Sequence, residues 1–183
     1  MTILNRNDQG GRSMVEMLGV LAIIGVLSVG GISGYSKAMA KYKLTKVQDQ
    51  ITMLLMNIRT AYATSPSYTG LSAASVASYN LAPTEMVGAD KASLYSAFGG
   101  AVDVAFTGAS ATYFYITLHN LGKEACRTLA TSDWGADGLV SISVSEESST
   151  TLHTHLTGNL PISLQSGASY CNNEVSKITW TYY

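Results

Sequence analysis

Residues 10–35 read GGRSMVEMLGVLAIIGVLSVGGISGY, and this stretch decides the architecture of the chain. From Met14 to Tyr35 it holds one charged side chain, Glu16, in a run rich in Leu, Ile and Val. At about 1.5 Å of rise per residue such a run makes a helix of roughly 33 Å, which is long enough to cross a hydrocarbon layer of about 30 Å. The stretch therefore predicts a membrane-spanning helix.

The residues in front of this run do not fit an ordinary secretory signal. Such a signal has a basic start, an apolar stretch of about 7–15 residues and a small-residue cleavage site behind it. Here the apolar run is longer, and the small-residue pair Gly10-Gly11 lies before it. Cleavage at that pair would remove the leader MTILNRNDQGG and leave the apolar helix on the mature protein.

The composition points to an exported protein and away from nucleic-acid binding. The chain has 183 residues, a formal net charge of −1 and only 13% charged residues, so it lacks the polybasic patch of a nucleic-acid-binding protein. Ser, Thr, Gly and Ala are abundant after Tyr62, as in an exported, strand-rich domain. Cys126 and Cys171 fit one disulfide in an oxidising compartment, and two buried free thiols are the alternative.

The helical pattern continues beyond the membrane run. Apolar residues recur at steps of three and four up to Tyr62, and no proline occurs before Pro66, so we expect one helix from about Ser13 to Ala63. The first half of this helix would project from the protein, and the second half would pack under a globular domain. Further on, the patterns predict short helices at 71–79 and 120–132, a hairpin of strands 101–107 and 111–118, and strands at 139–146 and 177–183.

The N-terminal stretch resembles that of type IV prepilins. In that family a short hydrophilic leader ends in glycine, a prepilin peptidase cuts after it, and the fifth mature residue is a glutamate that opens about twenty apolar residues. Carried over here, the cut falls between Gly11 and Arg12, and Glu16 is the fifth mature residue. In the family, the amine of the first mature residue is the site of N-methylation, and that residue is usually Phe or Met. Here the first mature residue would be Arg12, which departs from the pattern.

The resemblance implies the fold class and the domain plan. The fold would be α+β, with a long N-terminal helix packed on an antiparallel β-sheet and a C-terminal region bounded by a disulfide between Cys126 and Cys171. The domains would be a removed leader (1–11), the long helix (12–64) and a globular head (65–183). The runs YSAFGGAVDV (95–104) and FYITLHNLGKEACRTL (114–129) resemble the type IVb, PilS-like branch.

Glu16 is the residue to which the resemblance gives an assembly role. A carboxylate at the centre of a bilayer costs about 2.5–3.5 kcal/mol on insertion scales, so it needs a partner or a position at headgroup depth. A headgroup position beside the helix N-terminus is the structural alternative. The resemblance implies that Glu16 pairs with the N-terminal amine of Arg12 in a neighbouring subunit, and the Arg12 guanidinium is a second available partner.

The resemblance also implies location and partners. Four lysines, Lys37, Lys41, Lys43 and Lys46, follow the apolar run, and a count of positive charge alone would place them in the cytoplasm. A cytoplasmic peptidase and a disulfide require the opposite orientation, with the leader inside. The precursor would lie in the inner membrane, meet the prepilin peptidase and the pilus assembly platform, and then polymerise with other pilin subunits into an extracellular pilus for adhesion, conjugation or motility.

Other candidate sites are weak. His153 and His155 would lie on one face of a strand without a third metal ligand, Asp133 and Asp137 lack the spacing of a calcium loop, and His119 fits a capping or packing role. We expect no enzyme activity, no metal, no cofactor and no nucleic-acid partner. The alternatives are a minor pilin, a type II secretion pseudopilin, or a single-span anchored binding module that never polymerises.

Overall fold

The computed structural model describes residues 10–135, 138–149 and 151–183. Within this part the chain divides into one unit that ends at Tyr42 and a second that runs from Lys43 to Tyr183. The first helix, α1 (Gly10–Ala61), contributes residues to both units, and its bounds lie close to the predicted ones. Most of the predicted leader, residues 1–9, lies outside the described residues.

In the first unit, α1 is apolar and uncovered. Every large hydrophobic side chain between Met14 and Tyr35 is more than half exposed. No other helix among the described residues is long and apolar enough to cross a membrane. None of the described residues therefore covers the apolar side chains of this half of α1.

In the second unit, α1 buries one face. Val47, Ile51, Leu54 and Ile58 are fully buried, at steps of four, three and four residues that keep them on one side of a helix. They belong to the same core cluster as the inner face of the sheet. Arg59 lies over the ring of Tyr182 at 5.5 Å, which adds a cation–π contact near the end of the helix.

The head contains one antiparallel five-stranded sheet. Its strands are β1 (Val102–Thr107), β2 (Tyr113–Leu121), β3 (Leu139–Glu146), β4 (His153–Leu156) and β5 (Ser176–Tyr182). Their spatial order is β1-β2-β5-β3-β4, so the last strand along the chain lies at the centre. β1 and β2 form the predicted hairpin around Gly108.

The alternation of β5 sets the inner face of the sheet. Ile178, Trp180 and Tyr182 are fully buried, as their spacing predicted, and the residues between them are half-buried. In the register, Ile116 and Ile142 flank Trp180 from the two neighbouring strands. The core therefore lies between this sheet face and the helices that cover it.

Two sequence expectations were wrong in detail. The helix expected from Asn120 starts later, at α3 (Lys123–Thr131), because Asn120 and Leu121 still belong to β2. In β3, strict alternation predicts that Val140 shares one face of the strand with Ile142 and Val144. A bulge places Leu139 opposite Tyr182 and Ser141 opposite Thr181, so Leu139 takes the buried position.

Short helices complete the head. They are α2 (Ala73–Ser78), α4 (Leu164–Tyr170) and two 3₁₀ turns (Thr84–Met86 and Thr157–Asn159). Cys126 of α3 and Cys171, which follows α4, form a disulfide with Cα atoms 5.7 Å apart. The long helix, antiparallel sheet and C-terminal disulfide of the predicted fold class are thus all present.

Candidate assembly site

The residues expected to direct processing and assembly lie at the start of α1. Gly11 and Arg12 are in the first turns of the helix, and Glu16 follows Arg12 by four residues. Residues four apart lie on the same side of a helix. The Glu16 side chain is exposed, and no hydrogen bond or ion pair of Glu16 is found among the described side chains, which begin at Met14. Within one chain the carboxylate therefore stands at the surface of the helix.

The surroundings of Glu16 are apolar. Met14, Val15, Met17 and Leu18 are 62–73% exposed, so the carboxylate projects from a hydrophobic surface. A soluble monomer rarely leaves a contiguous apolar surface of this kind uncovered. Glu16 is the one acidic group of this apolar segment.

A polar network connects α1 to the head within the second unit. Lys46 Nζ lies 3.2 Å from Glu85 Oε1, and Gln50 Nε2 donates to the same oxygen at 3.2 Å. Gln50 Oε1 in turn accepts from the backbone N–H of Ala97. The hydrogen bonds from Lys46 and then Gln50 hold the pKa of Glu85 below its usual value. The network fixes the rotation of α1 against the loops of the head.

The disulfide connects α3 to the residue that follows α4. Both cysteines are fully buried. Trp134 Nε1 donates to Leu129 O at 2.8 Å, and the Trp134 ring meets Trp180 edge-on with centroids 4.7 Å apart. The region is therefore anchored to the central strand by aromatic packing as well as by the covalent bond. It also carries exposed apolar side chains, at Leu152, Leu156 and Leu164.

His119 has a more specific environment than the capping or packing role expected of it. Its Nδ1 contacts Glu147 Oε1 at 2.5 Å, and its Nε2 lies 3.0 Å from Asp103 Oδ2. Burial alone would raise the pKa of Glu147, but the hydrogen bonds from His119 and from Asn120 N, with the charges of His119 and Lys177, outweigh it. The pKa of Glu147 is therefore lowered. No sequence pattern indicated this cluster, because its three members come from β1, β2 and the turn after β3.

The weak metal candidates are placed as follows. His153 stacks on Tyr170 with ring centroids 4.2 Å apart, and His155 approaches the same ring at 5.4 Å. Asp133 Oδ1 accepts from Gly135 N, and Asp137 lies outside the described residues. Among the residues that the structure describes, no group of three His, Cys, Asp or Glu side chains could hold a metal ion. The two strand histidines act as packing residues between β4 and α4.

The architecture is that of the type IV pilins. The chain is similar to the crystal structure of TcpA, a type IV pilin from Vibrio cholerae El Tor biotype, with a TM-score of 0.52 and 17% identity over 78% of this chain and 99% of that one. A type IVb pilin from Salmonella typhi gives a TM-score of 0.55 and 18% identity, over 78% of this chain and 98% of that one. These likenesses define the fold.

The family follows from the sequence of the head. The family model described as PilS N terminal matches residues 41–183, and the chain belongs to that family. It is 25% identical over 134 residues to the major structural subunit of bundle-forming pilus from Escherichia coli O127:H6 (strain E2348/69 / EPEC), which covers 73% of this chain and 69% of that protein. The same subunit of Escherichia coli O111:H- matches equally well. The predicted type IVb pilin branch is confirmed.

Proposed function

We propose that this type IVb pilin is made as a precursor, cut between Gly11 and Arg12 by a prepilin peptidase, and polymerised through the first part of α1 into a surface pilus. Its role is that of a structural subunit, and no catalysis is assigned to it. The precursor would be held in the inner membrane with the head outside the cytoplasm. The assembly platform in that membrane would then transfer it to the growing, extracellular fibre.

The observation that carries the proposal is the contrast between the two parts of α1. From Val47 onward the helix buries a full apolar stripe in the head, whereas from Met14 to Tyr35 its apolar side chains are all more than half exposed. Lipid would cover this surface before assembly, and the same helices of neighbouring subunits would cover it afterwards. One segment thereby serves as a membrane anchor and as the centre of the fibre.

Glu16 would set the axial register of that helix bundle. Once helices pack, a lone carboxylate in the apolar interior is strongly disfavoured, and losing one partner of a buried ion pair costs about 3–5 kcal/mol. Cleavage before Arg12 creates an α-ammonium four residues away along the chain. Pairing of Glu16 with the ammonium of a neighbour would therefore favour one axial offset between subunits over all others.

The relatives support the choice of a pilus subunit. Two proteins similar to this chain are major structural subunits of bundle-forming pilus. By analogy the fibre built here would serve adhesion, conjugation or motility. The family match begins at residue 41. The roles of Gly11, Arg12 and Glu16 are therefore supported by the motif of the first 35 residues.

The test is a set of variants read out on sheared surface filaments. Glu16→Ala should leave cleavage intact, with mature chains starting at Arg12 by mass spectrometry, but should abolish filaments. Asp49→Ala removes an exposed acid from the same helix and should leave both cleavage and filaments normal. Normal filaments from Glu16→Ala would refute the pairing role, and filament subunits that begin at Met1 would refute the cleavage.

A further inference from the structure

His119 lies between two carboxylates that come from different parts of the head. Its Nδ1 is 2.5 Å from Glu147 Oε1, and its Nε2 is 3.0 Å from Asp103 Oδ2. A neutral imidazole has one N–H donor, whereas both ring nitrogens donate in the imidazolium. Since an ionised carboxylate only accepts, both contacts are hydrogen bonds only when each nitrogen of the His119 ring carries a proton. We call these three residues the histidine clasp.

A bulge in β2 brings His119 into this position. The pairing of β2 with β5 shifts its register between Leu118 and Leu121, and Asn120 within this bulge has a φ of 59°. Asparagine is one of the few residues other than glycine that adopt this left-handed conformation readily. The Asn120 N–H donates to Glu147 Oε2 at 3.1 Å, while His119 contacts the other oxygen of the same carboxylate. Two successive residues of the bulge thus hold one carboxylate between them.

Two negative charges face the His119 ring. Burial works to raise the pKa of Glu147, but the hydrogen bonds from His119 and from Asn120 N, with the positive charges nearby, outweigh burial and lower this pKa overall. Glu147 is therefore ionised at neutral pH. Asp103 brings the second carboxylate from β1, with 61% of its side chain exposed to water. The ring is thus bounded on both sides by groups that can only accept a hydrogen bond.

Other charged groups lie next to Glu147. Lys177, on β5, donates from Nζ to Glu147 O at 3.2 Å. Glu147 N donates to Val175 O at 3.2 Å, so the turn after β3 is also tied to the residue before β5. Beside Glu147 is a polar cavity, and three further charged side chains line it: Lys123, Glu146 and Glu174. Among the residues that the structure describes, the ion pairs of His119 are those with the two carboxylates of the clasp.

We infer that the histidine clasp is a pH-dependent connection between the β1–β2 hairpin and the turn that follows β3. With a proton on each ring nitrogen, His119 bonds both carboxylates and holds the turn to the hairpin. When the ring loses one proton, a nitrogen lone pair faces a carboxylate oxygen, and one of the two hydrogen bonds is lost. Closing the clasp therefore takes up a proton, so its stabilisation is present on the acidic side of the imidazole titration and is lost as the pH rises through it.

The clasp acts on the region bounded by Cys126 and Cys171. Glu147 lies within that region, whereas Asp103 and His119 lie before it. The proton on His119 therefore controls how firmly one turn of the disulfide-bounded region is held to the sheet. This inference concerns the head alone, and it does not depend on the proposed cleavage or membrane anchoring.

The test compares urea unfolding of the full chain in mild detergent at about pH 5.5 and about pH 8. Histidine is the side chain whose ordinary titration falls in this interval. The chain has three histidines, so a pH effect can be assigned by substitution. We expect the wild type to unfold at a urea midpoint about 0.5 M higher at the lower pH, because the clasp gains one charge-assisted hydrogen bond that is partly open to solvent.

Three variants make the test specific. His119→Gln should abolish the difference between the two midpoints, because an amide does not titrate in this interval. His153→Gln/His155→Gln is the matched control and should keep the difference, since those two rings pack on Tyr170 outside the clasp. Asp103→Asn should reduce the difference, because the asparagine amide can donate to the lone pair of the neutral ring.

The outcomes that overturn the inference are equally definite. One is a wild-type midpoint that does not rise toward the lower pH, and another is a difference that persists in His119→Gln or disappears in His153→Gln/His155→Gln. Asp103 is largely exposed, so Asp103→Asn keeps the test decisive even where His119→Gln does not fold. A difference of wild-type size in Asp103→Asn would also overturn the inference.

Discussion

Removal of the disulfide should cost the head a large part of its stability. Cys126 and Cys171 are 45 residues apart in sequence. In the chain-entropy model, opening a loop of that length lowers the free energy of unfolding by about 4 kcal/mol at 25 °C. Total stabilities of domains are only about 5–15 kcal/mol, so the loss is substantial. Both side chains are fully buried, and alanine at both positions removes the bond without leaving a free thiol.

The assay is urea unfolding of the full chain in mild detergent, followed by the fluorescence of Trp134 and Trp180. With a slope of about 2 kcal/mol per molar urea, the Cys126→Ala/Cys171→Ala variant should unfold at a midpoint about 2 M lower. A reductant should lower the midpoint of the wild type by a similar amount and leave that of the variant unchanged. A loss below about 1 kcal/mol would refute the view that the bond acts by constraining the unfolded chain.

Three further outcomes can be checked by the same unfolding measurement. Gly100→Ala should destabilise the head by about 1–3 kcal/mol, because a Cβ there would lie 2.7 Å from the carbonyl carbon of His119. Gly122→Ala is the control: a Cβ at that position meets nothing within 4 Å and should have little effect. Folding lowers the pKa of Glu147, so the ionised carboxylate adds to the free energy of unfolding above the unfolded pKa of about 4.3. This stabilisation is lost as the pH falls through the folded pKa. Glu147→Gln should therefore lose less stability between pH 7 and pH 3 than the wild type. Burial raises the pKa of Tyr182 to about 12, so wild-type stability should fall as pH rises from about 10 to 12. Tyr182→Phe should reduce that fall and be nearly neutral at pH 7, because the buried hydroxyl has no hydrogen-bond partner among the described residues. An equally steep alkaline loss in Tyr182→Phe would contradict the last of these.

Local pattern was enough to place the main elements. A period of 3.6 residues over Val47 to Ile58 and strict alternation over Ile178 to Tyr182 each produce one apolar face, and the structure buries both faces. The bulge after Leu139 was not predictable from alternation, because one extra residue changes the face of a side chain without any change in composition. α4 was also missed, for a different reason. Its sequence LQSGASY has weak helix propensity, and the Ser163 cap and packing around the disulfide support it.

The candidate site likewise contains residues that a local sequence motif can indicate and contacts that it cannot. Gly11, Arg12 and Glu16 lie within six residues of sequence, so a short motif could predict them. The contact of His119 with Asp103 and Glu147 depends on which strands neighbour each other. Strand order is a long-range property of the fold, and no pattern within β1, β2 or β3 contains it.

The central position of β5 has a consequence for the timing of biogenesis. The hairpin of β1 and β2 and the hairpin of β3 and β4 are joined in the sheet only through β5. A chain that emerges from its N-terminus can form each hairpin early, but it cannot close the sheet until the residues up to Tyr182 have been made. Until then each hairpin lacks the strand that joins it to the other, so the sheet of the head is completed only at the end of synthesis.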